Sequence, residues 1–162
     1  MTSIAQNAFT ANKNLTEVII PEGILRVNSE AFDECSNITK VVFPTTLEYI
    51  GGTAFASMIN LEDISTLKDT RVTIIEADAF SDDSNLREVI LPETLIQLGG
   101  YIFYDDRGIE QRRGVVFRNC RNLSHVVIRS KSLIYVGSGN FGGCPLLTSA
   151  GPIGGNYSIE YA

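Results

Sequence analysis

The sequence holds no tryptophan, one histidine and three cysteines in 162 residues, and each scarcity closes a route to function. A single histidine cannot build a histidine-rich metal site, and it weighs against a Ser-His-Asp triad. Basic residues are outnumbered, 13 Lys and Arg against 19 Asp and Glu, for a net charge of -6. A broad cationic surface for a phosphate backbone is therefore missing, which excludes nucleic acid as a partner. No apolar run approaches the roughly 18 residues that a membrane-spanning helix needs, so no membrane insertion is expected of this segment. The opening MTSIAQNAFTANKNL lacks the charged-then-apolar plan of a secretion signal. What remains is a chain 44% hydrophobic, enough to fill a core and too much for disorder.

Repetition is what the sequence has in abundance, and a fixed period of about 20–50 residues outranks every other reading. Ala-Phe recurs at Ala8-Phe9, Ala31-Phe32, Ala54-Phe55 and Ala79-Phe80, in steps of 23, 23 and 25 residues. Weaker copies stand at Val116-Phe117 and Asn140-Phe141. Six residues after each Phe comes a large aliphatic: Leu15, Ile38, Leu61, Leu86, Leu123 and Leu147. Four residues before the Ala stand Ile4, Val27, Ile50 and Ile75. Asn precedes the aliphatic at Asn14, Asn37, Asn60, Asn85 and Asn122.

After the aliphatic, each unit reads as a short strand. NLTEVIIP (14–21), NITKVVFP (37–44) and NLREVILP (85–92) close on proline, which cannot donate to a ladder and so ends pairing. NLSHVVIR (122–129) keeps the strand without it. Alternation puts Val18 and Ile20, Val41 and Phe43, Val89 and Leu91, Val126 and Ile128 on the core side. A second extended piece follows in TLEYIGG (46–52) and TLIQLGG (94–100), with glycines to turn the corner. The Ala-Phe segment reads as a tight helical turn. One such unit cannot bury its own apolar residues, whereas stacked units can, as a solenoid with a parallel sheet along one side.

The pattern Leu-x-x-Val-x-Ile-Pro … Leu-x-x-Ile-Gly-x-x-Ala-Phe-x-x-Cys resembles the BspA-type leucine-rich repeat. The tail CPLLTSAGPIGGNYSIEY (144–161) resembles a variant of that repeat from large surface proteins. The resemblance covers nearly the whole chain. It implies a right-handed leucine-rich repeat solenoid, with a parallel β-sheet on one face and short strands and tight helical turns on the others. It also implies an extracellular or cell-surface setting, adhesion or host contact, and no catalytic residues.

One domain of about six units, covering 1–162, is expected. The chain opens inside a unit and stops just after a strand position, with no polar cap at either end, so truncation from a longer array and end-to-end self-association are both expected. The fifth unit is interrupted. Pro92, Leu95, Leu98 and Phe103 keep the register of Pro44, Leu47, Ile50 and Phe55, yet Phe117 repeats the Phe position 14 residues later. An insertion loop near 102–115 is therefore expected, carrying Asp105, Asp106, Arg107, Glu110, Arg112 and Arg113. Such insertions are tolerated surface loops, some of which contact ligands.

Most polar features have structural explanations. Cys35, Cys120 and Cys144 each lie three residues after their Phe, so they read as one buried packing position used three times. Cys120 and Cys144 fall in neighbouring units, close enough for a disulfide, with free stacked thiols the favoured state. The asparagines read as a ladder bonding turn backbone. GSGNFGG (137–143) and GPIGG (151–155) match no phosphate loop. Asp82-Asp83 and Asp105-Asp106 supply too few oxygens for calcium without backbone carbonyls, and no metal or cofactor is expected.

The strands supply the remaining candidate surface. Residues alternating with the core form one outward row, Glu17, Lys40, Asp63, Glu88 and His125, and a second, Ile19, Val42, Ser65, Ile90 and Val127. The first row places Lys40 between two acids. The second places four β-branched aliphatics toward solvent, as strand formers or as an apolar binding stripe. The leading reading is thus a non-enzymatic recognition module whose partner is a protein, with glycans second. A passive spacer is the alternative, and a hydrolase using acid pairs is the weakest, because the acids are scattered by repeat position.

Overall fold

Strands of two to four residues cannot stand alone, so their edges must be satisfied by the unit before and the unit after. The computed structural model describes residues 2–104, 106–133, 135–137 and 139–148, those at 101–104 and 110–113 by backbone only. In chain order the strands are β1 (Ser3–Ile4), β2 (Glu17–Ile19), β3 (Arg26–Val27), β4 (Lys40–Val42), β5 (Tyr49–Ile50) and β6 (Ile74–Ile75). They continue as β7 (Glu88–Leu91), β8 (Gln97–Leu98), β9 (Tyr101–Tyr104), β10 (Glu110–Arg113), β11 (His125–Ile128) and β12 (Tyr135–Val136).

The continuous sheet is built by the second extended piece of each unit. Its six parallel strands run β1-β3-β5-β6-β8-β12. The amide after each strand reaches back one unit: Asn28 donates to Ile4 at 3.1 Å, Gly51 to Val27 at 2.8 Å, Glu76 to Ile50 at 3.0 Å and Gly99 to Ile75 at 2.8 Å. The strands that alternation made prominent form two separate parallel pairs, β2-β4 and β7-β11. Between them the third unit carries a 3-10 turn, Ser65–Asp69, in place of a strand. The extra residues of the 25-residue step are absorbed here. Thr66 Oγ1 accepts the Phe43 amide at 2.8 Å, where a strand carbonyl would otherwise serve.

The Ala-Phe segment is not helical, contrary to expectation. It is a run of hydrogen-bonded turns in which the residues two before and two after Phe take positive φ. The first set comprises Asn7, Glu30, Thr53, Asp78 and Gly139, the second Ala11, Glu34, Ser57, Asp82, Asn119 and Gly143. These bends free the Phe amide to point forward, from Phe9 to Ala31 at 2.8 Å, Phe32 to Ala54 at 2.8 Å and Phe80 to Val116 at 3.0 Å. The rings follow the backbone. Phe9, Phe32, Phe55, Phe80, Phe117 and Phe141 stack with centroids 5.0, 5.4, 5.4, 5.4 and 5.7 Å apart and planes within 10°. At that separation near-parallel rings must be offset, the favourable arrangement for their quadrupoles. Phe43 closes the core edge-on against Phe55 at 5.3 Å.

The expected insertion loop is a β-hairpin. β9 and β10 pair antiparallel, with Tyr104 opposite Glu110 and Tyr101 opposite Arg113. Phe103 therefore lies in β9, and Phe117 takes its place in the ring stack. The hairpin root is closed by glycine backbone. A Cβ on Gly99 would lie 2.6 Å from the Gly114 carbonyl oxygen, and one on Gly137 would lie 2.1 Å from the Gly114 Cα.

Two stability predictions follow from these backbones. A non-glycine residue at positive φ costs about 1–2 kcal/mol, partly offset by glycine's own entropy of about 0.5–1 kcal/mol. Thr53→Gly, at φ 56, is therefore expected to stabilise by up to about 1 kcal/mol and raise Tm by about 2–4 °C in a thermal melt. Gly137→Ala is expected to lower Tm clearly, because the atoms it meets are backbone and cannot swing away.

Candidate interaction surface

Register places both outward rows as the alternation implies, but not as unbroken stripes. Glu17 pairs with Lys40 and Ile19 with Val42 across β2-β4, and Glu88 with His125 and Ile90 with Val127 across β7-β11. Lys40 also bridges Asp63, so it does lie between Glu17 and Asp63. Only the second of these contacts forms an ion pair, Lys40 Nζ to Asp63 at 3.8 Å. That exposed pair is worth at most about 1 kcal/mol. The Asp63 carboxylate accepts the Ser65 amide at 2.8 Å, and this bond, more than Lys40, holds its pKa below the usual range.

In the second row Ile19 is 69% exposed, whereas Val42, Ile90 and Val127 are half-buried. Ser65 opens the 3-10 turn and stands exposed between the two pairs. The apolar stripe is thus two short patches separated by a polar step. On the hairpin, Asp106 and Arg107 are exposed beside Ile109, itself 50% exposed. Asp105 lies outside the described residues. Arg112 and Arg113, placed by backbone only, sit opposite Ile102 and Tyr101.

A further row was missed because it lies on the two-residue strands. Ser3, Arg26, Tyr49, Ile74, Gln97 and Tyr135 pair in sequence along the six-stranded sheet. The Arg26 guanidinium lies 3.7 Å from the Tyr49 ring centroid, within cation–π range. Burial pushes the Tyr49 hydroxyl up to about 12, helped by its bond to Glu76. The signal was present as the residue before each buried Val27, Ile50, Ile75 and Leu98, but with strands this short no alternation reveals it.

The cysteines are free and buried. Each thiol donates to the Phe carbonyl of the preceding unit, Cys35 to Phe9 at 3.0 Å, Cys120 to Phe80 at 3.2 Å and Cys144 to Phe117 at 3.1 Å. Hydrogen bonding with Cys144 and burial push the Cys120 thiol up, which suits packing and not nucleophilic chemistry. Two of the five asparagines brace turn backbone as expected, Asn37 bonding the Lys13 carbonyl and Asn60 that of Ser36, both at 2.8 Å, whereas Asn122 bonds the Asn85 side chain at 3.4 Å. Among the described residues no group of three or more His, Cys, Asp or Glu is placed to hold a metal ion, and no helix is long and apolar enough to cross a membrane. At the first unit, Ile4, Phe9, Leu15, Ile19 and Ile20 line an open apolar cleft of 730 Å³.

Comparison with known proteins places this geometry. The chain is similar to a leucine rich cell surface protein from Faecalibacterium prausnitzii, with 23% identity and a TM-score of 0.62 over 92% of this chain. It spans 42% of that protein's length. It is also similar to the T. pallidum leucine rich repeat protein, with 24% identity and a TM-score of 0.67, covering 91% of this chain and 72% of the other. No curated protein matches it. The model of the BspA type leucine rich repeat region matches in six copies, over residues 2–113 and 107–159. With its stacked Phe rings, in-register strands and repeated corner thiols, the chain belongs to the BspA-type leucine-rich repeat family.

Proposed function

We propose that this chain is a non-catalytic interaction or adhesion module of a secreted or cell-surface protein. It meets a partner protein, or secondarily a glycan, through its outward strand rows and the hairpin tip. The observation that carries this reading is the exposure of Ile19 at 69% beside half-buried Val42, on strands that pair with each other and bury Val18 and Val41 in the core. Rigid strands presenting apolar side chains among charges suit protein contact, since little ordering entropy is lost on binding. The family typically serves protein interaction at surfaces and is generally non-enzymatic. The Faecalibacterium neighbour, itself described as a cell surface protein, supports the extracellular setting.

The test compares wild type with Ile19→Asp and Ile90→Asp for binding to purified extracellular proteins and host-cell surfaces. At exposed Ile19 the change is expected to move stability by about 0.5 kcal/mol or less, while half-buried Ile90 is expected to cost more, so Tm serves as the folding control. Binding reduced tenfold or more, at unchanged Tm for Ile19→Asp and with a cooperative melt kept by Ile90→Asp, is the expected outcome. Equal binding by all three proteins removes the strand face from the interaction, and absence of any binding leaves the passive spacer as the better account.

The same reading extends to self-association through the cleft on the first unit. Sedimentation over a concentration series is expected to show a rising mass that Ile4→Asp suppresses. A monomer mass throughout would reject this contact.

A further inference from the structure

The thiol position of the repeat is occupied once by an acid. Three residues after Phe stand Cys35, Cys120 and Cys144 in the second, fifth and sixth units, but Asp83 in the fourth. Asp83 is wholly buried, with 0% exposure. Its Oδ1 accepts the Met58 amide at 2.9 Å, while its buried Oδ2 has no partner.

This changes the wiring around Phe55. In the first, second, fifth and sixth units the amide at this position stays in its own turn, as in Cys35 donating to Phe32 at 3.2 Å and Cys144 to Phe141 at 3.3 Å. The Phe carbonyls of the first, fourth and fifth units each receive a thiol from the following unit. In the third unit the Met58 amide has turned away to Asp83, and the following unit offers a carboxyl instead of a thiol. Among the described residues no donor reaches the Phe55 carbonyl. An unpaired buried carbonyl and an unpaired buried carboxyl oxygen in adjacent units each cost the desolvation of a polar group, and a single proton between them would remove both costs.

We propose that folded Asp83 is a neutral carboxylic acid whose Oδ2–H donates to the Phe55 carbonyl in place of a thiol, so that its ionisation is a pH-sensitive switch loosening the junction of the third to fifth units. The surroundings favour the acid form. Asp82 beside it and Asp33 two units away are both acidic, and the next ladder position holds the Cys120 thiol. Of the two cations on the adjoining turn, Arg118 pairs with Asp78 at 3.7 Å and Arg121 is exposed to solvent, while Asn119 bonds Asp82 at 2.9 Å. Burial is the largest influence, and together with these acids it raises the carboxyl well above its ordinary 3.8.

The sign follows from linkage. The unfolded chain loses this proton near the ordinary aspartate value, and the folded chain holds it to higher pH. Stability is therefore complete below the unfolded value and declines as pH rises toward the folded value, by about tenfold in the folded-to-unfolded ratio per pH unit. Urea unfolding of the full chain between about pH 5 and 8 tests this, comparing wild type with Asp83→Asn and Asp83→Cys. Wild type is expected to lose stability over that range more steeply than either variant, with Asp83→Cys completing the thiol ladder should Asp83→Asn fold poorly. Side-chain carbon NMR of Asp83 in the wild type gives an independent reading, expected to show a midpoint well above the usual range. Equal pH slopes for wild type and Asp83→Cys, or a midpoint in the ordinary aspartate range, would overturn the proposal.

Discussion

Register between neighbouring units governs everything else in this structure. Ring centroids recur at 5.0–5.7 Å along the Phe stack, close to the spacing of about 4.8 Å that backbone pairing demands. Side-chain stacking and strand pairing thus impose nearly the same repeat distance, and neither must be distorted to serve the other. Departures are absorbed locally so that this distance survives. The third unit spends its extra residues in a 3-10 turn, and the hairpin leaves and returns at one glycine-lined point.

The register has a local cost, carried in the turns. Ala11, Glu30, Thr53 and Ser57 all adopt positive φ, which their side chains disfavour. Each bend directs a Phe amide onto the next unit's carbonyl, so backbone strain in one unit is repaid as a hydrogen bond between two. A unit removed from its neighbours keeps the strain and loses the bond. Isolated units are consequently unstable, and stability grows with the number of junctions.

Much of this was legible in the sequence, because residues facing the core must recur where the core recurs. Phe9 to Phe141, the aliphatics from Leu15 to Leu147 and the three thiols all kept their spacing and their roles, as did Asn37 and Asn60 among the asparagines. The six-stranded sheet was harder to see. Its strands are two residues long, too short for alternation, and its outward row of Arg26, Tyr49 and Gln97 shares no residue type. The left-handed bends were illegible for another reason: nothing in Ala11 or Thr53 asks for that backbone, which is set by pairing to the next unit. The hairpin concealed itself because its aromatic strand, Tyr101–Tyr104, continued the register of the unit it interrupts. Asp83 could be assigned to the thiol position by counting, but its orphaned oxygen belongs to three-dimensional packing alone.

The direction of the inter-unit hydrogen bonds carries a consequence for assembly. The amides after the six-sheet strands, Asn28, Gly51, Glu76 and Gly99, donate toward the N-terminal neighbour, whereas the Phe amides of the turns, and Ile20 and Val41 on the other strands, donate toward the C-terminal one. Each end of the array therefore presents a different arrangement of donors and acceptors, and like ends are not complementary. A two-fold dimer joining two first units cannot continue this bonding. Any contact that extends the ladder is head-to-tail, and a head-to-tail contact that does not close into a ring propagates as a polar fibre with two distinguishable ends.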